Sequence, residues 1–277
     1  MSMILKYESS NGSTFDLKVK PIRTRSANFH DYSWEPQIVQ QQYGERVTRF
    51  DKTSATYAAI LDISGSEADR RATLNDLHAA FDADVFAMKP GRIIHGDYYV
   101  QCYITYSSTY YDNPWTQNEI NIYCPYPFWV KENKFEFLPE EDTPGANNFL
   151  DYNYDFEYDF NSGLTGQALV SNPGAGGANY KAIFYGPCAD PYLFLDGVMI
   201  GVNTLLLTGE YIVIDSRDHT VYKVANDGTK TNCYNDRVKT GVSIFEKIAP
   251  GDHYAVWPGT YGFDLIVFEE RSEPLWS

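Results

Sequence analysis

Cys124-Pro125-Tyr126-Pro127-Phe128-Trp129 decides how the chain is divided. Each proline removes a backbone donor and drives the residue before it out of helical geometry, so no regular element crosses this stretch. A second break, Leu138-Pro139-Glu140-Glu141-Asp142-Thr143-Pro144-Gly145, follows closely. We therefore expect two domains, 1–130 and 131–277, with the second break between the first two strands of the second domain.

Upstream of that boundary the pattern is mostly that of strands. Ile4 to Tyr7 and Thr14 to Lys18 flank Asn11-Gly12, a hairpin signal with a loop longer than two residues. Gln37 to Gln42 and Arg46 to Phe50 form a second pair joined through Gly44, and Thr56 to Ile63 is an apolar strand ending at Gly65. Only one helix is predicted. Ser66 stands as its N-cap with Asp69 three residues on, a capping box with Asp for Glu, and Leu74, Leu77 and Phe81 give one buried stripe. Lys89-Pro90-Gly91 then marks a turn, and Tyr98 to Tyr106 and Glu119 to Tyr123 are the next strands.

Downstream, short apolar runs recur between Gly, Pro, Asn and Asp: Ala182 to Tyr185, Tyr192 to Leu195, Leu205 to Leu207, Tyr211 to Ile214, Val221 to Val224 and Leu265 to Phe268. That rhythm predicts an antiparallel sandwich without a helix. The fold class expected is mainly β.

Composition agrees. Of 277 residues, 43% are hydrophobic and 23 are Tyr, 16 Phe and 5 Trp, a supply that favours half-buried pleated surfaces and aromatic interfaces. The formal charge of −15 repels nucleic-acid phosphate, and no Lys/Arg cluster offsets it. No direct nucleic-acid binding is expected, although an acidic channel lining would let DNA slide past. No run reaches membrane-spanning length or resembles a signal peptide, so no membrane insertion is expected and the chain reads as made in a cytoplasm. Cys102, Cys124, Cys188 and Cys233 are widely spaced, without the pairing of a zinc or redox site, and read as reduced, mostly buried hydrophobes.

Chemistry is hard to find. Asp151-Tyr-Asn-Tyr-Asp-Phe-Glu-Tyr-Asp-Phe160 alternates five aromatic residues with five polar ones. Parallel strand carboxylates do not converge as calcium ligands must, so a strand with a solvated acidic face is the better reading. His30, His78, His95, His219 and His253 form no metal-ligand pair, and Gly174-Ala-Gly-Gly177 lacks the Lys-Ser/Thr of a phosphate loop. No catalytic residue, cofactor site or metal site is assigned, and no enzyme activity is expected; a glycosidase would need two carboxylates roughly 5–10 Å apart, which no sequence can show. A sugar-binding sandwich is the alternative, with Tyr254, Trp257, Tyr261 and Trp276 as stacking faces.

A family resemblance joins these pieces. The 124–129 stretch resembles the close of the N-terminal domain in distal tail proteins of siphophages, and Lys89-Pro-Gly-Arg-Ile-Ile-His-Gly-Asp-Tyr-Tyr-Val100 is similar to the strand pair before it. Tyr185-Gly-Pro-Cys-Ala-Asp-Pro191, Gly209-Glu-Tyr-Ile-Val-Ile-Asp215, Thr220-Val-Tyr-Lys223 with Asn226-Asp-Gly228, and Phe245 to Gly251 look like that family's sandwich domain. The resemblance runs from about residue 45 onward. It implies a virion structural protein of the phage tail tip. An N-terminal β-rich, split-barrel-like domain with one α-helix would form a hexameric ring joining the tail tube to the baseplate. A C-terminal antiparallel, galectin-like β-sandwich would face outward. Implied partners are five further copies of the chain, the tail tube protein, a tail-associated hub or lysin protein and receptor-binding or tail fibre proteins. On the alternative reading a host cell-wall glycan joins them. The tyrosines Tyr98, Tyr99, Tyr103, Tyr106, Tyr110 and Tyr111 are the expected source of ring contact area.

Overall fold

The computed structural model describes residues 4–111, 115–139 and 166–276, and it separates into two compact units. The first comprises Met1–Lys131 together with Glu270–Ser277, and the second comprises Glu132–Glu269. The chain's last residues thus return to the first unit, where the sequence reading runs the second domain to the end.

In the first unit the strands are β1 (Leu5–Glu8), β2 (Thr14–Asp16), β3 (Ile22–Ala27), β4 (Glu35–Gln40), β5 (Glu45–Asp51), β6 (Ala55–Ile63), β7 (Gly91–His95), β8 (Tyr98–Tyr111) and β9 (Thr116–Cys124), with one helix, α1 (Glu67–Phe86). Strand β10 (Trp129–Phe137) begins here and continues into the second unit. All pairings are antiparallel, in line with a mainly β fold.

Strand β8 belongs to two sheets. Its first half, Tyr98 to Cys102, pairs with β7, which continues through β1 to β2. Its second half, Tyr103 to Tyr111, pairs with β9, which continues through β6 to β3. A register shift between Ile104 and Tyr106 marks the changeover, as a bulge bends and twists a strand. That shift also switches the side-chain alternation, and it explains why the sequence pattern ends the strand at Tyr106 while the structure carries it to Tyr111.

The helix starts where the sequence places it. Ser66 accepts from the Asp69 N–H, and the Asp69 carboxylate accepts from the Ser66 N–H at 3.2 Å, so two otherwise orphaned donors are satisfied. Leu74, Leu77, Ala80 and Phe81 enter a core shared with Tyr7, Ile93, Ile120, Ile122 and Trp129. The far end of α1 is held by Asp84, which is fully buried. It accepts from Tyr7 Oη, from Ser9 Oγ at 2.7 Å and from the Ser10 N–H at 2.7 Å. Burial and the Asp84 carboxylate push the Tyr7 phenol well above its ordinary pKa, so it stays a donor.

The 124–129 break is the floor of this core. Trp129 is fully buried, its Nε1 donates to Tyr57 Oη at 3.2 Å, and Phe29 meets its ring edge-on.

In the second unit the strands are β11 (Gly166–Asn172), β12 (Asn179–Tyr185), β13 (Cys188–Ala189), β14 (Tyr192–Leu195), β15 (Val198–Gly201), β16 (Leu205–Leu206), β17 (Tyr211–Asp215), β18 (Thr220–Val224), β19 (Lys230–Asn232), β20 (Gly251–Trp257) and β21 (Phe263–Arg271), the last ending in the first unit. One sheet runs β11-β20-β14-β15 and the other runs β19-β18-β17-β12-β21. Val170, Leu193, Ala255 and Trp257 from the first meet Tyr180, Phe184, Ile214, Phe263 and Leu265 from the second in one core, as two packed antiparallel sheets require. A single 3₁₀ turn, Tyr234–Asp236, is the unit's only helical element among the described residues.

Candidate subunit interface

The features that set the first unit apart are its unpaired ones. Strands β4 and β5 form a two-stranded ribbon that pairs with no other strand among the described residues, and every residue from 31 to 50 is exposed. Register explains its character. Pro36 faces Phe50 and Ile38 faces Val47, while Gln37 faces Arg49, Val39 faces Arg46 and Gln40 faces Glu45. Pro36, Ile38, Val47 and Phe50 therefore form an apolar stripe on one face, which ends at the Gln40–Glu45 pair on that same face, and the opposite face, with Gln37, Arg46 and Arg49 beside Val39, is mostly polar and charged. Isolated two-stranded ribbons are marginal in water, and an uncovered apolar stripe makes this one more so. At about 3.4 Å per residue the ribbon reaches roughly 20 Å.

A second unpaired feature is the four-stranded sheet β3-β6-β9-β8. Both of its edges are open among the described residues. The second half of β8 pairs only with β9, and β3 pairs only with β6 apart from one backbone bond from the Thr24 N–H to the Leu17 carbonyl. On β8, Thr105 to Tyr111 are all exposed. Such edges are templates for pairing with another chain.

The sheet's two faces differ. Tyr57, Ala59, Leu61, Ile63, Ile120 and Ile122 point into the core. The outer face carries Thr56, Ala58 and Ile60, then Gln117, Asn121 and Glu119, with Arg25 bonded to Asp62 at 3.0 Å. With Arg23 opposite Asp62, this face holds two arginines against one aspartate and one glutamate. The chain's acidic charge does not reside there.

A third feature is the end of α1. Val85, Phe86 and Met88 are 44%, 85% and 82% exposed. Met88 has a φ of +49° at the position after the C-cap, where glycine is the usual residue, so it bears backbone strain without any burial in return.

The tyrosine cluster expected to supply contact area divides. Tyr98 and Tyr99 are core residues, and Tyr106, Tyr110 and Tyr111, on the open half of β8, are exposed. The four suggested sugar-stacking rings have different settings. Trp257 and Tyr261 lie in the sandwich core, Tyr254 is exposed, and Trp276 belongs to the first unit.

Each histidine has its own local setting. His78 on α1 bonds Ser107 Oγ at 3.0 Å, and His219 stacks on Phe245 at 4.9 Å. His95 is buried beside Trp129, Phe29 and His30; burial and then His30 hold its pKa below the ordinary value. His253 is also buried. Its Nδ1 meets the Asp196 carboxylate and its Nε2 meets the Ala249 carbonyl at 2.6 Å. Burial alone would favour the neutral ring. Two acceptors at two nitrogens outweigh it, and the pKa rises.

Gly174-Ala-Gly-Gly177 is a turn held by Asn172, whose Nδ2 donates to the carbonyls of Gly176, Ile248 and Ala249 at 2.9–3.1 Å. The four cysteines are free thiols, and burial pushes Cys124 up to about 12 and Cys188 to about 11. No group of His, Cys, Asp and Glu among the described residues could hold a metal ion, and no described helix is long and apolar enough to cross a membrane. The alternating Asp151–Phe160 stretch lies outside the described residues.

Comparison by sequence finds neither a matching family model nor a matching curated protein. Comparison of folds does find similar structures. The Dit protein of phage SPP1, described as a paradigm of the hub adsorption apparatus in phages infecting Gram-positive hosts, superposes with a TM-score of 0.57 at 14% identity, covering 98% of this chain and all of that one. Chains of the phage P2 baseplate in its activated conformation, with calcium and with strontium, give TM-scores of 0.63 and 0.65 at 11% identity over 99% of this chain and all of theirs. This is the fold of the phage Dit and baseplate hub proteins. In this Dit-like fold the first unit carries the free edges and the ribbon, and the second carries the sandwich. Identities of 11–14% explain why sequence comparison alone misses the likeness.

Proposed function

We propose that the chain is a structural subunit of a phage tail tip, a distal tail protein whose first unit assembles with five further copies into a hexameric ring. The ring would join the tail tube protein above to the hub, baseplate or fibre proteins below. The observation that carries this reading is the four-stranded sheet open at both edges. A sheet with two different free edges can join a neighbour's sheet head to tail, and such heterologous contacts end either in a filament or in a closed ring. The amphipathic ribbon supplies a second surface for the neighbour to cover. The whole-chain likeness to Dit and baseplate proteins supports the setting.

A ring built this way with the outer sheet face inward would have a bore of charge-balanced polar side chains and tyrosine rings, since Tyr106, Tyr110 and Tyr123 share the face of Gln117, Glu119 and Asn121. That differs from the acidic lining expected from net charge, yet it suits DNA passage equally, since neither surface holds phosphate.

Light scattering behind a sizing column tests the reading. The expected mass is six times the 31.6 kDa of one chain, or twelve times for stacked rings. A monomer at every concentration, and again when mixed with tail tube protein, would overturn it.

A further inference from the structure

Twenty consecutive exposed residues can reach a defined place only if their root is fixed. The ribbon's two ends meet at Lys52, which follows β5, and at Tyr32 and Trp34, which precede β4. The Lys52 ammonium lies 5.5 Å from the Tyr32 ring, 5.4 Å from the Trp34 ring and 4.8 Å from the Phe128 ring. No carboxylate among the described residues pairs with it, and its remaining neighbour is the Ser272 carbonyl at 3.5 Å. Burial lowers its pKa to about 8, so at neutral pH it is still mostly a cation. A half-buried ammonium without a counter-ion, among three ring faces, is held by their quadrupoles.

Ser272 belongs to a segment that laces the same root. Tyr126 Oη donates to Glu270 at 2.6 Å, Glu273 bonds His30 at 3.2 Å, and Trp276 stacks on His30 at 3.7 Å with the planes 16° apart. All of these residues lie in the first unit. The chain's end, the 124–129 break and both feet of the ribbon therefore meet in one cluster.

We propose that Lys52 and the returning residues 270–276 form a clamp that fixes the direction of the ribbon, making Lys52 a positioning residue for the ribbon's contact with a second copy of the chain. The clamp stands on its own geometry, and only its purpose rests on the ring reading. A ribbon with no other packing is ordered only at its root, and an interface element ordered in advance loses less entropy on association.

The test uses the full-length chain as wild type, Lys52→Met, Lys52→Arg and a truncation after Arg271. Hydrogen exchange at residues 33–36 and 48–52 reads the clamp, and the dilution midpoint of the assembled species by light scattering reads the positioning. In Lys52→Met, which keeps the apolar stem and loses the charge, root exchange should speed by about tenfold and the midpoint should rise by a similar factor. The truncation should do the same, and Lys52→Arg should stay near wild type. Unchanged exchange in Lys52→Met overturns the clamp. Faster exchange with an unchanged midpoint overturns the positioning role. A wild-type chain that never assembles, while its root still responds to Lys52, removes the ring reading and supports the clamp alone. Circular dichroism on each variant separates these outcomes from misfolding.

Discussion

The two units handle their exposed backbone in opposite ways. Among the described strands of the second unit, the edges β15 and β19 are only four and three residues long and β19, Lys230-Thr-Asn232, is wholly exposed and polar, while the seven-residue edge β11 exposes only Gln167 and Leu169. Short, polar edges are how sheet proteins discourage association. In the first unit, seven exposed residues of β8 and four of β3 stand open, and the ribbon projects with an apolar face uncovered. The second unit leaves little exposed edge, and the first leaves long edges and an apolar stripe uncovered. This contrast is what supports the proposal that assembly runs through the first unit.

The sharpest way to break the contrast is to remove the ribbon. Replacing residues 35–51 by a short Gly/Ser linker should abolish assembly altogether and leave the monomer folded, because the ribbon's pairing is internal and only its root packs on the core. Light scattering and a thermal melt read the two effects. Retained assembly would transfer the whole task to the open sheet edges. A matched pair, Phe50→Asp against Leu169→Asp, sharpens the point. Both residues are exposed hydrophobics, and only the first, in the ribbon, should weaken assembly.

Next in size are the cores. Trp129→Ala in the first unit and Phe263→Ala in the second each empty a fully buried ring site and should cost about 3–5 kcal/mol. If the units melt independently, each variant lowers one calorimetric transition and spares the other; a single shared transition that both variants lower equally would show one cooperative body. Asp84→Ala should cost roughly 3 kcal/mol in the first unit, since it strands Tyr7 Oη, Ser9 Oγ and the Ser10 N–H. A loss below about 1 kcal/mol would mean that water replaces the carboxylate.

How far the sequence carried the argument differs between elements. The Ser66 cap, the α1 stripe and the hairpin read from Gln37 to Phe50 are local signals, and each is legible in adjacent residues. Strand β3 was invisible because only Ile22 of its six residues is buried, leaving no alternation to read. Strand β20 was hidden by His253, a polar residue at an inward position whose partners lie at Asp196 and Ala249. The split of the tyrosine cluster follows from a bulge that no composition reveals. The return of residues 270–276 to the ribbon's root depends on contacts more than 140 positions apart, such as Tyr126 with Glu270, and is beyond any local pattern. The candidate interface was legible as aromatic excess only. The open edges and the ribbon that define it needed the strand order.

The smallest predicted effects set the units against each other by pH. His95, in the first unit, is buried and kept neutral, so its folded pKa lies below its unfolded value. Its contribution is present above the unfolded pKa, near 6.5, and is lost as pH falls through the folded one. His253, in the second unit, faces two acceptors and its folded pKa is raised. Its contribution is complete below the unfolded pKa and is lost as pH rises through the folded one. The difference in melting temperature between wild type and His253→Gln should therefore shrink from pH 6 to pH 9. Against His95→Gln, the difference should shrink in the other direction, as pH falls from 8 to 5. Parallel pH profiles for the two variants would contradict the opposite environments the structure gives these rings. Direct titration of the two imidazoles by NMR decides between a wrong pKa and a wrong coupling to stability. If the His253 ring titrates above its ordinary value while its stability profile stays flat, the Asp196 turn is held by backbone pairing alone, and the second unit is more self-sufficient than the contrast requires.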